Sequence, residues 1–169
     1  MDLLLPHIID QPHEAHLTER EVEELCSDIE WLATSPKSTE RMVRAAMDVV
    51  RATPDSEAPQ LLVIGKRGWM NDNIVALLDD CAAIQPFVTE ANGLSDGQIA
   101  AALSRSRAML FPSFAEGLGI PMLEANAAGL KVIASDLPAL REIAADDTVF
   151  LNPLDGPGWR EAILTAAIP

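Results

Sequence analysis

AMLFPSFAEGLGIPMLEANAAGLKVIAS, residues 108 to 135, decides the fold. AMLFP opens the stretch as a strand and KVIAS closes it as another. Between them lies a helix from Pro121 to Ala128, bounded by a proline at its first helical position and by Gly129 after its last. A strand, a glycine-containing loop and a helix N-terminus therefore follow one another directly.

The same alternation runs outward in both directions. Upstream, IEWLAT reads as a strand, followed by the turn SPKST and a helix from about Thr39 to Arg51. QLLVIG has no polar alternation, so it is a strand buried on both faces. NDNIVALLDD is helical and PFVTE extended, and Ser95 with Gln98 forms a capping box that opens a helix to about Arg105. Downstream come a helix from Pro138, the extended run VFLNP and a last helix after Pro157. Roughly five or six strands with intervening helices predict an α/β fold, a doubly wound Rossmann-like parallel sheet. Ligands of such sheets sit beyond the carboxyl ends of the strands. Those ends are Thr34 to Thr39, Gly65 to Trp69, Glu90 to Asp96, Pro112 to Ile120 and Ser135 to Leu137.

At 169 residues and 49% hydrophobic content, the chain has material for one core and one main domain. Its formal charge of -14, from 12 basic and 26 acidic residues, repels phosphate backbones and argues against nucleic acid as a partner. An anionic ligand must then be held by local features acting against the overall field. Acidic residues crowd the first thirty positions, where Arg20 is the sole cation. Thr18 and Glu21 stand at capping-box spacing ahead of Val22, Leu25, Cys26 and Ile29. Residues 1 to 28 are accordingly expected to be a linker and acidic helical segment, and 29 to 169 the folded domain. His7, His13 and His16 show no ligand pattern and read as exposed linker histidines, so no metal is expected. Cys26 and Cys81 lie far apart, which suits a reducing compartment. MDLLLPHII is too short, and too interrupted by Pro6, to be a signal peptide or a membrane span. A cytoplasmic location is expected, with peripheral attachment to the inner membrane face left open.

The loop of the deciding stretch carries the chemistry. Gly117 and Gly119 lack side chains, so a pyrophosphate can approach the backbone N–H groups of Gly117, Leu118, Gly119 and Ile120 and meet the positive end of the helix dipole. Glu116 in the loop and Glu124 in about the first helical turn are spaced to serve two sets of vicinal hydroxyls, since each carboxylate accepts from two donors. Read by spacing alone, Glu124 equally fits a residue complementing the helix dipole and Glu116 a solvated loop residue. Lys66 and Arg67 end the second strand and read either as anion ligands or as surface charges. A dinucleotide fingerprint would need glycine where Met122 stands, and no P-loop lysine followed by serine or threonine is present.

FPSFAEGLGIPMLEANAAGLKVIASDLPALREIA, with LLVIGKRGW and NGLSDGQIAAALSRSRAMLFPS upstream and FLNPLDGPGWREAI downstream, resembles the signature region of the glycosyl transferases group 1 family. The resemblance covers about residues 29 to 165 and implies the carboxyl-terminal domain of a retaining enzyme of GT-B fold. It implies a nucleotide-diphosphate sugar as donor, Glu116 as the catalytic residue at the donor sugar, and Glu124 at the ribose. It further implies the Gly117 to Ile120 backbone at the diphosphate, and neither metal nor cofactor. A glycan or lipid-linked acceptor, in polysaccharide, capsule or lipopolysaccharide assembly, completes the expected reaction, a hexose transfer. LLPHIID resembles the end of an amino-terminal domain, so the acceptor-binding domain is expected to be missing and the chain alone inactive. The alternative is a catalytically silent nucleotide-binding or interaction domain derived from such an enzyme.

One departure from the family pattern concerns charge. Family members usually have a glycine at the first strand end and then an arginine and lysine pair that clamps the diphosphate. In WLATSPKSTERM, Ala33 replaces the glycine, Lys37 keeps one cation and Ser38 stands where the second belongs. Losing that cation costs about 1 to 3 kcal/mol of charge-assisted hydrogen bonding. Ser38→Lys is expected to tighten diphosphate binding about tenfold, with the gain shrinking as salt rises. If Ser38 instead caps the following helix, calorimetry will show unchanged affinity and melting curves will show lost stability.

Overall fold

A computed structural model describes residues 29–33, 59–65 and 72–167. Within them the chain runs β1 (Ile29–Ala33), β2 (Gln60–Ile64), α1 (Asp72–Asp80), β3 (Val88–Ala91), α2 (Asp96–Arg105) and β4 (Ala108–Phe111). It continues through α3 (Ile120–Ala127), β5 (Lys131–Ser135), α4 (Pro138–Arg141), β6 (Val149–Leu151) and α5 (Gly156–Ala167). The strands form one sheet in the order β3-β2-β1-β4-β5-β6, every neighbouring pair parallel. That is the doubly wound Rossmann order, and the expected fold class holds. The expected acidic segment, residues 1 to 28, and the expected helix from Thr39 to Arg51 lie outside the described residues.

Successive strand residues point to opposite faces, and here both faces are apolar. Leu62, Ile64, Met109, Phe111, Val132 and Ala134 pack with Ala102 and Leu103 of α2, Met122 and Ala125 of α3 and Leu140 of α4. Their neighbours Leu61, Val63, Ala108, Leu110 and Ile133 pack on the other face with Trp159 and Ile163 of α5. Burial of each large side chain contributes roughly 1.5 to 3 kcal/mol. The Trp159 indole N–H is satisfied by the carbonyl of Asn152 at 3.1 Å, so the tryptophan is buried at no polar cost.

Local chemistry sets the helix ends. The capping box of α2 is present in full. The Ser95 hydroxyl accepts from the Gln98 amide at 3.3 Å, and the Ser95 amide donates to Gln98 Oε1 at 2.8 Å. At the end of α3, Gly129 is left-handed with φ 70, the Leu130 amide donates to the Ala125 carbonyl and the Gly129 amide to that of Asn126. Those two bonds make a Schellman ending. The starts of α3 and β3 are among the boundaries that shift from expectation. α3 begins at Ile120 rather than Pro121, because Gly119 supplies the non-helical cap. β3 begins at Val88 rather than Pro86, because Ile84 is buried and its carbonyl accepts from the Phe87 amide at 2.8 Å in a preceding turn.

Ser95→Ala removes the cap of α2 and is expected to cost about 1 kcal/mol in urea denaturation. The exposed Ser104 hydroxyl only bonds back to the Ala101 carbonyl, and Ser104→Ala should stay within about 0.5 kcal/mol of the parent.

Candidate functional site

The strand order reverses direction between β1 and β4, and a doubly wound sheet opens its ligand crevice at that point. Ala33, the last described residue of β1, pairs with Val63 on one side and Leu110 on the other. The turn that carries Lys37 and Ser38 follows Ala33, and Lys66 and Arg67 follow Gly65. All four lie outside the described residues. β4 feeds residues 112 to 119, the glycine loop singled out from the sequence.

This loop is built by alternating burial. Pro112 and Ser113 are buried, Phe114 and Ala115 exposed, Glu116 half-buried, Gly117 and Leu118 exposed, and Gly119 buried. Gly119 is left-handed at φ 70 and ψ 44. A Cβ there would stand 2.6 Å from Leu140 Cδ2 and 3.1 Å from Ile143 Cδ1, so glycine is required both by backbone conformation and by space. A Cβ on Gly117 would meet nothing within 4 Å, which leaves that stretch of backbone open to a ligand. The Gly119 carbonyl accepts from the amides of Met122 and Leu123 at 2.9 and 3.2 Å. Among the described residues, the amides of Gly117, Leu118, Gly119 and Ile120 have no backbone acceptor. No side chain caps the helix. These N–H groups are what an anion at a helix start would use.

The two carboxylates differ in setting. Glu116 accepts a hydrogen bond from the buried Ser113 hydroxyl, Oγ to Oε1 at 2.5 Å, so it is anchored and not simply solvated. Glu124 is exposed and sits in the second turn of α3, whose first turn holds no acidic residue. That is just past the first turn, about where the spacing puts it. A carboxylate that far along gains little from the helix dipole, which fades after one turn, so complementing the dipole does not account for it. Loop and helix thus bring Glu116, Gly117, Leu118, Gly119, Ile120 and Glu124 into one continuous unit. Around them Phe114, Leu118 and Ile120 are 51%, 57% and 57% exposed, an apolar rim on the crevice.

Sequence reasoning missed three supports. Ser113 is one, although its spacing to Glu116 is that of an S-x-x-E pair. The second is at the carboxyl end of β5, where Arg141 donates from Nε and Nη2 to the two oxygens of Asp136 at 2.5 and 2.9 Å. That hydrogen-bonded guanidinium holds the Asp136 carboxyl below the usual carboxylate range and is itself held protonated more firmly. The guanidinium also lies 4.6 Å from the Phe150 ring centre. The third is Asn126, whose Nδ2 donates to the Ile143 carbonyl at 2.9 Å and ties α3 to the segment after α4. Among the described residues no group of His, Cys, Asp or Glu is arranged to hold a metal, and no helix is long and apolar enough to cross a membrane.

A parallel sheet in this order, with a glycine loop and a helix start at its switch point, defines a Rossmann-like domain. Residues 25–167 match the family described as glycosyl transferases group 1, and the chain belongs to that family. It is 35% identical over 92 residues to the serotype-specific mannosyltransferase WbdA of Escherichia coli, a match covering 54% of this chain and 11% of the relative. It is 36% identical over 76 residues to the O-antigen chain mannosyltransferase RfbU of Salmonella typhimurium, covering 45% of this chain and 22% of the relative. The chain therefore spans a small part of the relatives it matches. Among solved structures it resembles WaaG, a glycosyltransferase involved in lipopolysaccharide biosynthesis, with TM-score 0.66 at 19% identity over 92% of this chain and 43% of that one. It also resembles the C-terminal domain of a glycosyl transferase group 1 family protein, LpcC of Francisella tularensis. There the TM-score is 0.66 at 18% identity, over 93% of this chain and 85% of that one. The fold is the carboxyl-terminal half of GT-B.

Gly119→Ala combines a left-handed alanine with a clash against Leu140, and is expected to cost about 2 to 4 kcal/mol in chemical denaturation. Gly129 has the same φ but open space around it, so Gly129→Ala should cost only about 1 to 2 kcal/mol. Equal losses at the two sites would show that packing beneath Gly119 contributes nothing.

Proposed function

We propose that this chain is the donor-binding domain of a glycosyltransferase and holds a nucleotide-diphosphate sugar beyond the carboxyl ends of β1 and β4. The observation that carries this reading is the junction at Gly119, where a left-handed glycine leaves a run of backbone amides open beside the carboxylate of Glu116. The diphosphate lies along the Gly117 to Ile120 backbone, Glu116 takes hydroxyls of the sugar, and Glu124 takes those of the ribose. Lys37, Lys66 and Arg67 supply the cations that the loop lacks, and Ser38 contributes a hydroxyl in place of one.

In the reaction, the bond from the anomeric carbon to the diphosphate oxygen breaks, and its electron pair leaves with the diphosphate. Amides already aimed at that oxygen stabilise the charge as it grows, without reorganising. Glu116 is the catalytic group in the sense that its carboxylate holds the reacting sugar in place as positive charge develops there. A hydroxyl of the glycan or lipid-linked acceptor forms the new bond to the anomeric carbon from the face the diphosphate leaves, which retains configuration. Its proton passes to the departing diphosphate oxygen. A second, acceptor-binding domain completes the cleft, and neither metal nor cofactor takes part. Relatives named as O-antigen and serotype-specific mannosyltransferases make mannose the first hexose to test.

Calorimetry with GDP, GDP-mannose, UDP and UDP-glucose tests the assignment. Glu124→Ala is expected to weaken a diphosphate and its sugar conjugate alike, by about tenfold, the loss of one hydrogen bond to a charged group. Glu116→Ala should weaken the conjugate by a similar factor and spare the diphosphate. Equal losses for both variants on both ligands would sink the two roles, and adenine dinucleotides binding in their place would favour a general nucleotide-binding domain.

A further inference from the structure

We propose that Ser113 is a positioning residue that fixes the carboxylate of Glu116 for the donor sugar, an inference that rests on the reading of Glu116 given above. Ser113 follows β4 directly after the buried Pro112 and is itself only 3% exposed. Two serines at the end of α2 spend their hydroxyls on the backbone, and the buried Ser135 hydroxyl at the end of β5 has no partner among the described residues. Ser104 Oγ donates to the Ala101 carbonyl, and Ser106 Oγ to that of Ala102. The Ser113 hydroxyl instead donates to Glu116 Oε1 at 2.5 Å. Phe114 and Ala115 between them are exposed, as are Gly117 and Leu118 beyond. Glu116 is thus the loop side chain turned back and held, while its neighbours face solvent.

Such a bond has two consequences. A glutamate on a mobile loop samples many rotamers, and a ligand that needs one of them must bear the cost of ordering it. Ser113 removes that cost before the sugar arrives. It also divides the carboxylate: one lone pair of Oε1 is taken, and Oε2 with the rest of Oε1 is left for two vicinal hydroxyls. The effect of Ser113 is therefore confined to the sugar end of the donor.

The test is a double-mutant cycle on the full chain, read by calorimetry with GDP-mannose against GDP and UDP-glucose against UDP. Ser113→Ala is expected to weaken the better-bound sugar nucleotide about fivefold to tenfold and to leave its diphosphate within about twofold. Ser113→Thr, which keeps the hydroxyl, should recover most of the loss. Ser113→Ala combined with Glu116→Gln should be no weaker than Glu116→Gln alone, because the serine acts only through the glutamate. Equal losses on sugar nucleotide and diphosphate would reduce Ser113 to a loop-packing residue, and additive losses in the double variant would likewise overturn the proposal. Should Glu116→Gln weaken the sugar nucleotide while Ser113→Ala does not, the positioning role alone falls. If Glu116→Gln leaves both sugar nucleotides unaffected, the donor reading of Glu116 falls with it.

Discussion

The approach of Gly119 to Leu140 is the contact on which the crevice depends. Leu140 is buried beneath the loop, and no side chain fits between it and the backbone at 119. Because the glycine is left-handed, the chain turns sharply out of the loop and enters α3 with its amides free, where a side-chain cap would have consumed one of them. Met122 and Ala125 then anchor the underside of α3 in the core, and Asn126 ties it to Ile143. The upper side of the same helix is left to Glu124 and Leu123, both exposed. Packing below and chemistry above are therefore set by one residue without a side chain.

The sheet supplies the rest of the geometry. A strand order that grows outward in both directions from β1 and β4 puts the switch point between those two strands. At the β5 end beside it stands the exposed Asp136 and Arg141 pair, with Arg141 resting on Phe150 of β6. Each Asp136 oxygen accepts one bond from the arginine, so the pair fixes the orientation of that carboxylate. The Asp136 and Arg141 pair braces the turn after β5, while the loop after β4 carries the contacts proposed for the donor.

Much of this was legible in the sequence wherever the signal was local. The capping box at Ser95, the glycine that ends α3 and the unbroken apolar strands are set by neighbours within a few residues, and each stands where spacing placed it. The glycine loop was legible too, but not the reason for its second glycine. That reason is Leu140, twenty-one positions away in sequence, and no periodicity connects the two. Asp136 and Arg141 meet for the same kind of reason, across a turn with no helical or strand spacing. Ser113 stood at a recognised spacing from Glu116. Its role stayed hidden because that spacing predicts a bond to the backbone, and the buried serine bonds the side chain instead.

Electrostatics constrains the anion site proposed for the loop. A chain of formal charge -14 repels a diphosphate at long range, so the proposed binding rests on contacts shorter than the roughly 8 Å over which physiological salt screens charge. Backbone amides suit that requirement, because they carry no net charge, cost no side-chain entropy and act only at contact distance. Carboxylates placed next to them would defeat the purpose if they faced the phosphates. Ser113 holds Glu116 back at one side of the loop, and Glu124 stands a turn further along α3. An acidic protein can present both an anion cradle and two hydroxyl-binding carboxylates within one loop and helix only if each carboxylate is kept off the cradle. In the proposed site, the hydrogen bond from Ser113 and the second-turn position of Glu124 serve that separation.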